Sequence, residues 1–324
     1  MTLKERDKKH LWHPLTQHKL HPEHIAICKA KGVLLYDEEG KEYIDGIASW
    51  YTCMYGHCND YITQKVSKQL QQLDHVVFAG FTHEPAVKLS EELIKILPDN
   101  QQKIFFSDNG STSVDVAIKI ALQYHFNQGD KRSKIIALED GFHGDTFGAM
   151  SVSGLSVYNG PFEDFFIDVA RIPVPTGENF NEVKALFEKL VKGHQVAAFI
   201  YEPLVQGAAA MKMYAPELLD ELLQIAQNNG VVTIADEVMT GFGKTGKNFA
   251  SEYLQNKPDI ICLSKSLTAG LVPMAITSCS EKIYNAFLSE ELGKGFFSRA
   301  YLLCEPCSMY SSLGRNRVVA NPRN

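Results

Sequence analysis

The fold is decided by VVTIADEVMTGFGKTG (231–246) and PDIICLSKSLTAG (258–270). Each half opens on a short apolar run rich in β-branched residues and bounded by turn formers, the pattern of a strand buried on both faces of a parallel sheet. The first run ends in Asp236-Glu237 and the second in Lys265. If the two strands are neighbours, a carboxylate and an amine leave the sheet at the same edge, the carboxyl edge where open α/β sheets bind ligands. Lys265 stands between Ser264 and Ser266, among small residues. That setting suits an amine that must be neutral and nucleophilic better than one in a surface ion pair.

Outward from this stretch, other strand–helix units repeat the theme. KIFFSDNGSTSVDVAIKIALQYHFNQG (103–129) reads as strand, turn and helix. Asp108-Asn109-Gly110 form the turn, Ser111 is the expected N-cap, and Val114, Ile118, Ala121 and Leu122 mark the buried face. A glycine and hydroxyls at a helix start, directly after a strand, make a seat for a phosphate, although by themselves they describe an ordinary capped helix. KIIALEDGFHGDTFGAMSVSG (134–154) is a strand followed by a glycine-rich loop carrying Phe142, His143 and Asp145. VAAFIYEPLVQGAAAMKMY (196–214) opens with a strand ending at Glu202-Pro203, and PELLDELLQIAQNNG (216–230) is a helix with Pro216 at its head and Gly230 at its stop. Residues 60–73 and 84–97 have helical apolar spacing, and GVLLYDEEGKEYIDG (32–46) reads as a hairpin. Strands alternating with helices predict a mostly parallel sheet flanked by helices.

Composition sets the class. The 324 residues allow about two domains, and 45% hydrophobic with 22% charged residues fits an ordinary globular enzyme. A formal net charge of -6 leaves no basic footprint for nucleic acid. No apolar run reaches the ~20 residues of a membrane span, and MTLKERDKKH has no signal-peptide core. Seven scattered cysteines point to a reducing, cytoplasmic setting. His10, His13, His18, His21 and His24 crowd the N-terminus, but their spacing matches no zinc pattern, and a polar arm without metal is expected there. Cys53, His57 and Cys58 form an irregular trio, and Cys304 and Cys307 a CxxC without a partner pair. GFGKTG (241–246) fits G-x-G-x-x-G, yet Asp236 and Glu237 just upstream would repel a pyrophosphate. Asn248 stands where a P-loop needs Ser or Thr. A nucleotide-binding protein is therefore the lesser reading.

A phosphate seat at Gly110-Ser111, an aromatic at Phe142, an acid at Asp236 and an amine at Lys265 are the groups that pyridoxal phosphate needs: amides, a stacking face, a partner for the pyridine nitrogen and a lysine for the aldehyde. ADEVMTGFGKTGKNFASE (235–252) with PDIICLSKSLTAG (258–270), GFHG and the Glu-Pro at 202–203 resembles the signature of the class III aminotransferases, fold-type-I pyridoxal-phosphate enzymes. WHPLTQ (12–17), ASWY (48–51), FAGFTHEPA (78–86), DNGSTSVDVAIKIALQY (108–124), HGDTFGAMSV (143–152) and EPLVQGAAAMKMY (202–214) resemble its biotin-biosynthesis branch. The likeness covers roughly residues 10–297.

The resemblance implies transfer of an amine from S-adenosylmethionine to 7-keto-8-aminopelargonate by a cytoplasmic homodimer holding pyridoxal 5′-phosphate. It implies cofactor contacts from Gly110, Ser111, Phe142, His143, Asp236 and Lys265, with Lys265 catalytic. Trp50, Tyr51, Phe142, Asp145 and Lys265 would face substrate. It divides the chain into an arm and small-domain hairpin (1–45), a large cofactor-binding domain (46–297) and a non-matching tail (298–324). Another class III enzyme acting on an ω-amine, or an inactive remnant that keeps the cofactor, are the alternatives. Two positions depart from the pattern. Leu15 stands where the family commonly has Tyr, and after Phe297 the pattern breaks at Ser298-Arg299-Ala300, as at a change of reading frame. A truncated member lacking its C-terminal small domain, with impaired turnover, is expected.

Overall fold

The computed structural model describes residues 1–298 and the backbone of 303–304; the expected tail from 299 onward otherwise lies outside the described residues. Its centre is a seven-stranded sheet. The strands lie in the order Gln101–Ser107, Ala275–Ser280, Ile260–Leu263, Val232–Asp236, Val196–Tyr201, Lys134–Leu138, Val169–Ile172. Ala275–Ser280 runs antiparallel to both neighbours, and the remaining pairs are parallel. The two apolar runs of the deciding stretch are adjacent parallel strands, with Asp236 opposite Cys262.

Burial on both faces explains why these strands read as unbroken apolar runs. Val196–Tyr201, Val232–Asp236 and Ile260–Leu263 are buried at every position. Their side chains alternate between two cores. Ala235, Ile261 and Leu263 pack against helices Glu84–Ile96, Phe180–Val191 and Pro216–Asn228 through Leu89, Phe187 and Leu222. Val232, Ile234, Ile260 and Cys262 pack on the other face, against Gly110–Asn127 and Phe147–Val152 through Val114, Ala117 and Ala149. Each fully buried Leu or Phe contributes about 1.5–3 kcal/mol.

Most expected elements appear with small shifts. The helix starts at Gly110 with Asn109, not Ser111, as its N-cap: the Asn109 side chain accepts the Thr112 N–H at 2.9 Å. Ser111 is drawn away because its hydroxyl accepts the Thr146 N–H at 2.8 Å. The hairpin Leu34–Asp37 with Glu42–Ile44 is present, but a third strand, Ile27–Lys31, joins it. That strand has an exposed, charged pattern that gives no alternation to read.

GFGKTG belongs to neither a nucleotide loop nor a dinucleotide turn. No helix follows it; the chain turns through 237–249 into the short 3-10 turn Ala250–Tyr253. The excursion is stitched by Glu237, which is fully buried and accepts from Ala250 N (2.9 Å), Ser251 N (2.7 Å) and Thr240 Oγ1 (2.8 Å).

A left-handed turn stands out at Ala48–Tyr51, where φ is 48°, 46°, 64° and 70° in succession. L-residues in this conformation cost about 1–2 kcal/mol each. The turn is held from both sides. Asp45 accepts the Ser49 N–H (3.0 Å) and Oγ–H (2.7 Å), and Ser266 Oγ donates to Tyr51 O (3.2 Å).

Candidate active site

Six parallel strands end at one edge of the sheet, and the residues at or just beyond five of them converge: Gly110-Ser111 after Ser107, Phe142-His143 after Leu138, Glu202 after Tyr201, Asp236 itself, and Lys265 after Leu263. The strand ends thus supply a rigid frame for short loops, the arrangement by which α/β sheets build sites.

Asp236 is 4% exposed. One carboxylate oxygen accepts the Val238 N–H (3.0 Å) and the other meets His143 Nδ1 (2.7 Å). Burial alone would push the His143 pKa down; the Asp236 hydrogen bond and charge, with the Glu202 charge, outweigh it and hold His143 above its ordinary value. Its Nε2 is buried with no hydrogen-bond partner among the described residues. Glu202, also 4% exposed, accepts the Phe142 N–H (3.0 Å) and the Gly207 N–H (2.9 Å). Burial raises its pKa, assisted by the Asp236 charge, against the pull of His143 and those amides.

Lys265 opens the turn after its strand with φ of 42°. Burial depresses its pKa below the usual lysine value, and the charges of Asp236 and Glu202 oppose that depression without overcoming it. Its Nζ lies 5.7 Å from the Tyr51 ring centroid. The Tyr51 backbone is tied to the same turn by Ser266, and Gly270 lies so close that a Cβ there would come within 2.8 Å of Thr52 Oγ1.

At the helix start, the first amides of Gly110–Asn127 have no intrahelical acceptor. The floor beneath them is tight: a Cβ on Gly110 would reach 2.9 Å from Val238 Cγ1, next to Asp236. Gly144, at φ +127°, passes Ser111 so closely that a Cβ would lie 2.3 Å from its Oγ. Gly144→Ala should therefore destabilise the protein by about 2–4 kcal/mol, from backbone strain plus overpacking. Urea unfolding should show a lower midpoint with an unchanged slope; an unaltered midpoint would refute it.

Gly110, Ser111, Phe142, His143, Glu202, Asp236, Lys265 and Tyr51 belong to this one region. Phe142 is 45% exposed and Trp50 59% exposed, and Asp145 lies on the open face of the same loop. Leu15, in the N-terminal arm, is 79% exposed. The sequence reading assigned no role to Glu202, though a carboxylate at a strand end before proline was the available signal. It also missed Thr146 and Val238, which orient Ser111 and Asp236 through backbone amides that no sequence pattern reveals.

Comparison with known proteins agrees with this architecture. The family model for aminotransferase class-III matches residues 15–300. Adenosylmethionine-8-amino-7-oxononanoate aminotransferase of Synechococcus elongatus is 46% identical over 288 residues, which is 86% of this chain and 68% of that protein. The Staphylococcus aureus protein of the same name is 38% identical over 91% of this chain and 69% of its own length. The chain thus spans about two thirds of the length of these relatives. Among solved structures, the Methanocaldococcus jannaschii protein of that name superposes with a TM-score of 0.93 at 33% identity, covering 99% of this chain and 76% of that one. An amine transaminase from an uncultivated Pseudomonas species, solved in a PLP-bound form, gives 0.90 at 25% identity over 96% of this chain and 74% of its own. With the match running through the strands that carry Asp236 and Lys265, the chain belongs to the class III aminotransferases.

Proposed function

We propose that this chain binds pyridoxal 5′-phosphate at the carboxyl edge of its large sheet and transfers an amino group from S-adenosylmethionine to 7-keto-8-aminopelargonate, giving 7,8-diaminopelargonate for biotin synthesis. The observation that carries the reading is the pairing of Asp236 and Lys265 on the ends of adjacent parallel strands, close enough for the carboxylate to act on the amine. The relatives' printed names supply the substrates.

The donor set fits the cofactor. Unpaired helix amides beside Gly110 and Ser111 suit a phosphate dianion. A buried carboxylate steadied by His143 and the Val238 amide suits a protonated ring nitrogen. An amine depressed by burial suits an aldehyde. Phe142 offers an exposed ring for stacking, and Trp50, Tyr51 and Asp145 are the residues proposed to border substrate, Tyr51 with its ring centroid 5.7 Å from Lys265 Nζ. When bound, the cofactor supplies the electron sink for the carbon that loses its proton.

The chain's own residues do the rest. Lys265 Nζ, its basicity lowered by burial, would take the proton from the amine-bearing carbon. Asp236 would hold positive charge at the ring nitrogen of a bound cofactor, and its hydrogen bond to His143 keeps the carboxylate from turning. Glu202 holds the Phe142 amide and so the position of the aromatic ring. A homodimer in the cytoplasm is part of the proposal.

Titrating the purified, cofactor-loaded protein with S-adenosylmethionine should bleach its visible band, and adding the keto acid should restore it with one equivalent of diaminopelargonate. Bleaching by an ω-amine but not by S-adenosylmethionine would replace the donor. A spectrum indifferent to both would remove the function.

A further inference from the structure

The histidine spacing of the N-terminal arm matches no zinc pattern, yet the fold brings three of its side chains into ligand distance. Asp7, on helix Leu3–His10, His13, just beyond it, and His24, just before strand Ile27–Lys31, place one carboxylate oxygen and two imidazole nitrogens within 4.8 Å of one another. His13 Nε2 is 2.9 Å from Asp7 Oδ1 and 3.0 Å from Oδ2. The His13 and His24 rings lie 3.8 Å apart, centroid to centroid, and His18 lies 5.7 Å from the first and 5.9 Å from the second. An Asp–His hydrogen bond needs one imidazole; here a second, His24, brings a ring nitrogen within 4.8 Å of the same pair. We propose that Asp7, His13 and His24 form a binding site for a borderline divalent transition metal, Zn²⁺ foremost, which clamps the arm.

Ligand chemistry selects the ion. Two imidazoles and one carboxylate suit Zn²⁺, Co²⁺ or Ni²⁺ and argue against Mg²⁺ and Ca²⁺, which take oxygen ligands. At metal–ligand lengths of about 2.0–2.2 Å, tetrahedral ligands stand about 3.4 Å apart, so atoms now within 4.8 Å of one another need to draw together by no more than about 1.4 Å. Binding takes the lone pair of His13 Nε2, which requires the proton at Nδ1, and the metal replaces the present hydrogen bond to Asp7. His18 Nε2 accepts the His13 N–H at 3.0 Å, which leaves that ring outside the first coordination sphere. The fourth position is open to water or an external carboxylate.

The arm has reason to need a clamp. Ala26 is the sole buried residue in 1–30, and Trp12 and Leu15 are 91% and 79% exposed. With so little apolar burial, metal binding free energy acts directly as ordering free energy for the segment. The ligands come from a helix, the turn after it and the lead into the first strand, so one ion ties the whole arm, Leu15 included.

The test uses the full chain, stripped with chelator and titrated with Zn²⁺ against a chromophoric competitor, with Co²⁺ visible bands as a second reading. The parent should bind one ion per chain. Asp7→Asn and His24→Ala should each weaken the specific site by at least about 10-fold, while His21→Ala leaves it unchanged. Trypsin cleavage after Lys19 should slow on Zn²⁺ addition in the parent and not in His24→Ala. Equal affinity in parent, Asp7→Asn and His24→Ala would mean adventitious binding elsewhere, cysteines included, and would overturn the site. So would Zn²⁺-independent cleavage in the parent. No reading depends on transamination, so the outcome is separate from the proposed function.

Discussion

Lys265→Ala should lose turnover by at least about 10⁴-fold, the upper range for a positioned acid–base group, because the same amine also joins the cofactor. The visible band of lysine-bound cofactor should vanish while the fold persists. Removing a buried amine relieves desolvation, and alanine can occupy the φ of 42° at a cost of about 1 kcal/mol. Lys265→Arg should not rescue, since guanidinium stays protonated at working pH. Small primary amines added to the alanine variant should restore part of the rate. Single-turnover absorbance with S-adenosylmethionine checks this, and an alanine variant retaining more than about 1% of the parental rate would exclude Lys265 as the base.

Asp236→Asn should have the next largest effect, on two observables with opposite origins. Losing a charge-assisted contact worth about 1.5–3 kcal/mol should weaken cofactor binding by roughly 10- to 150-fold and lower turnover through poorer electron withdrawal. The amine should respond as well. Burial lowers the Lys265 pKa and the Asp236 charge raises it, so neutralising position 236 removes an opposing influence and lets the pKa fall further. The rate of cofactor capture, which needs the neutral amine, rises with pH through that pKa. Its acid limb should therefore move to lower pH in the variant. A limb that moves upward, or cofactor affinity unchanged between parent and variant, would separate the two residues and undo the proposed pairing.

The sheet was legible because strands such as Val232–Asp236 and Ile260–Leu263 are buried on both faces and therefore read as unbroken apolar runs. Their adjacency, which the sequence reading left conditional, is found with Asp236 opposite Cys262. The phosphate-seat helix was legible too, but its cap was misassigned. Asn109 and Ser111 both favour that position, and what decides is Thr146, distant in sequence, which claims the serine hydroxyl. Ile27–Lys31 escaped notice because an edge strand with exposed side chains has no hydrophobic period. The histidine cluster escaped because its ligands are spread from 7 to 24 over helix, turn and strand lead, where spacing carries no geometry. Glu202 escaped because its work is done on backbone amides, which every sequence possesses.

The left-handed turn at Ala48–Tyr51 has a consequence for how such a molecule can change. The residues proposed for the chemistry sit on strand ends locked into two cores; the aromatic wall proposed to face substrate sits on a locally uphill segment fastened by a few bonds from Asp45 and Ser266. Glycine or asparagine at 48 or 49 would relieve that backbone without touching the carboxylate or the amine. Selectivity can thus drift, or be engineered, on a hinge-like panel while the reaction machinery behind it stays fixed.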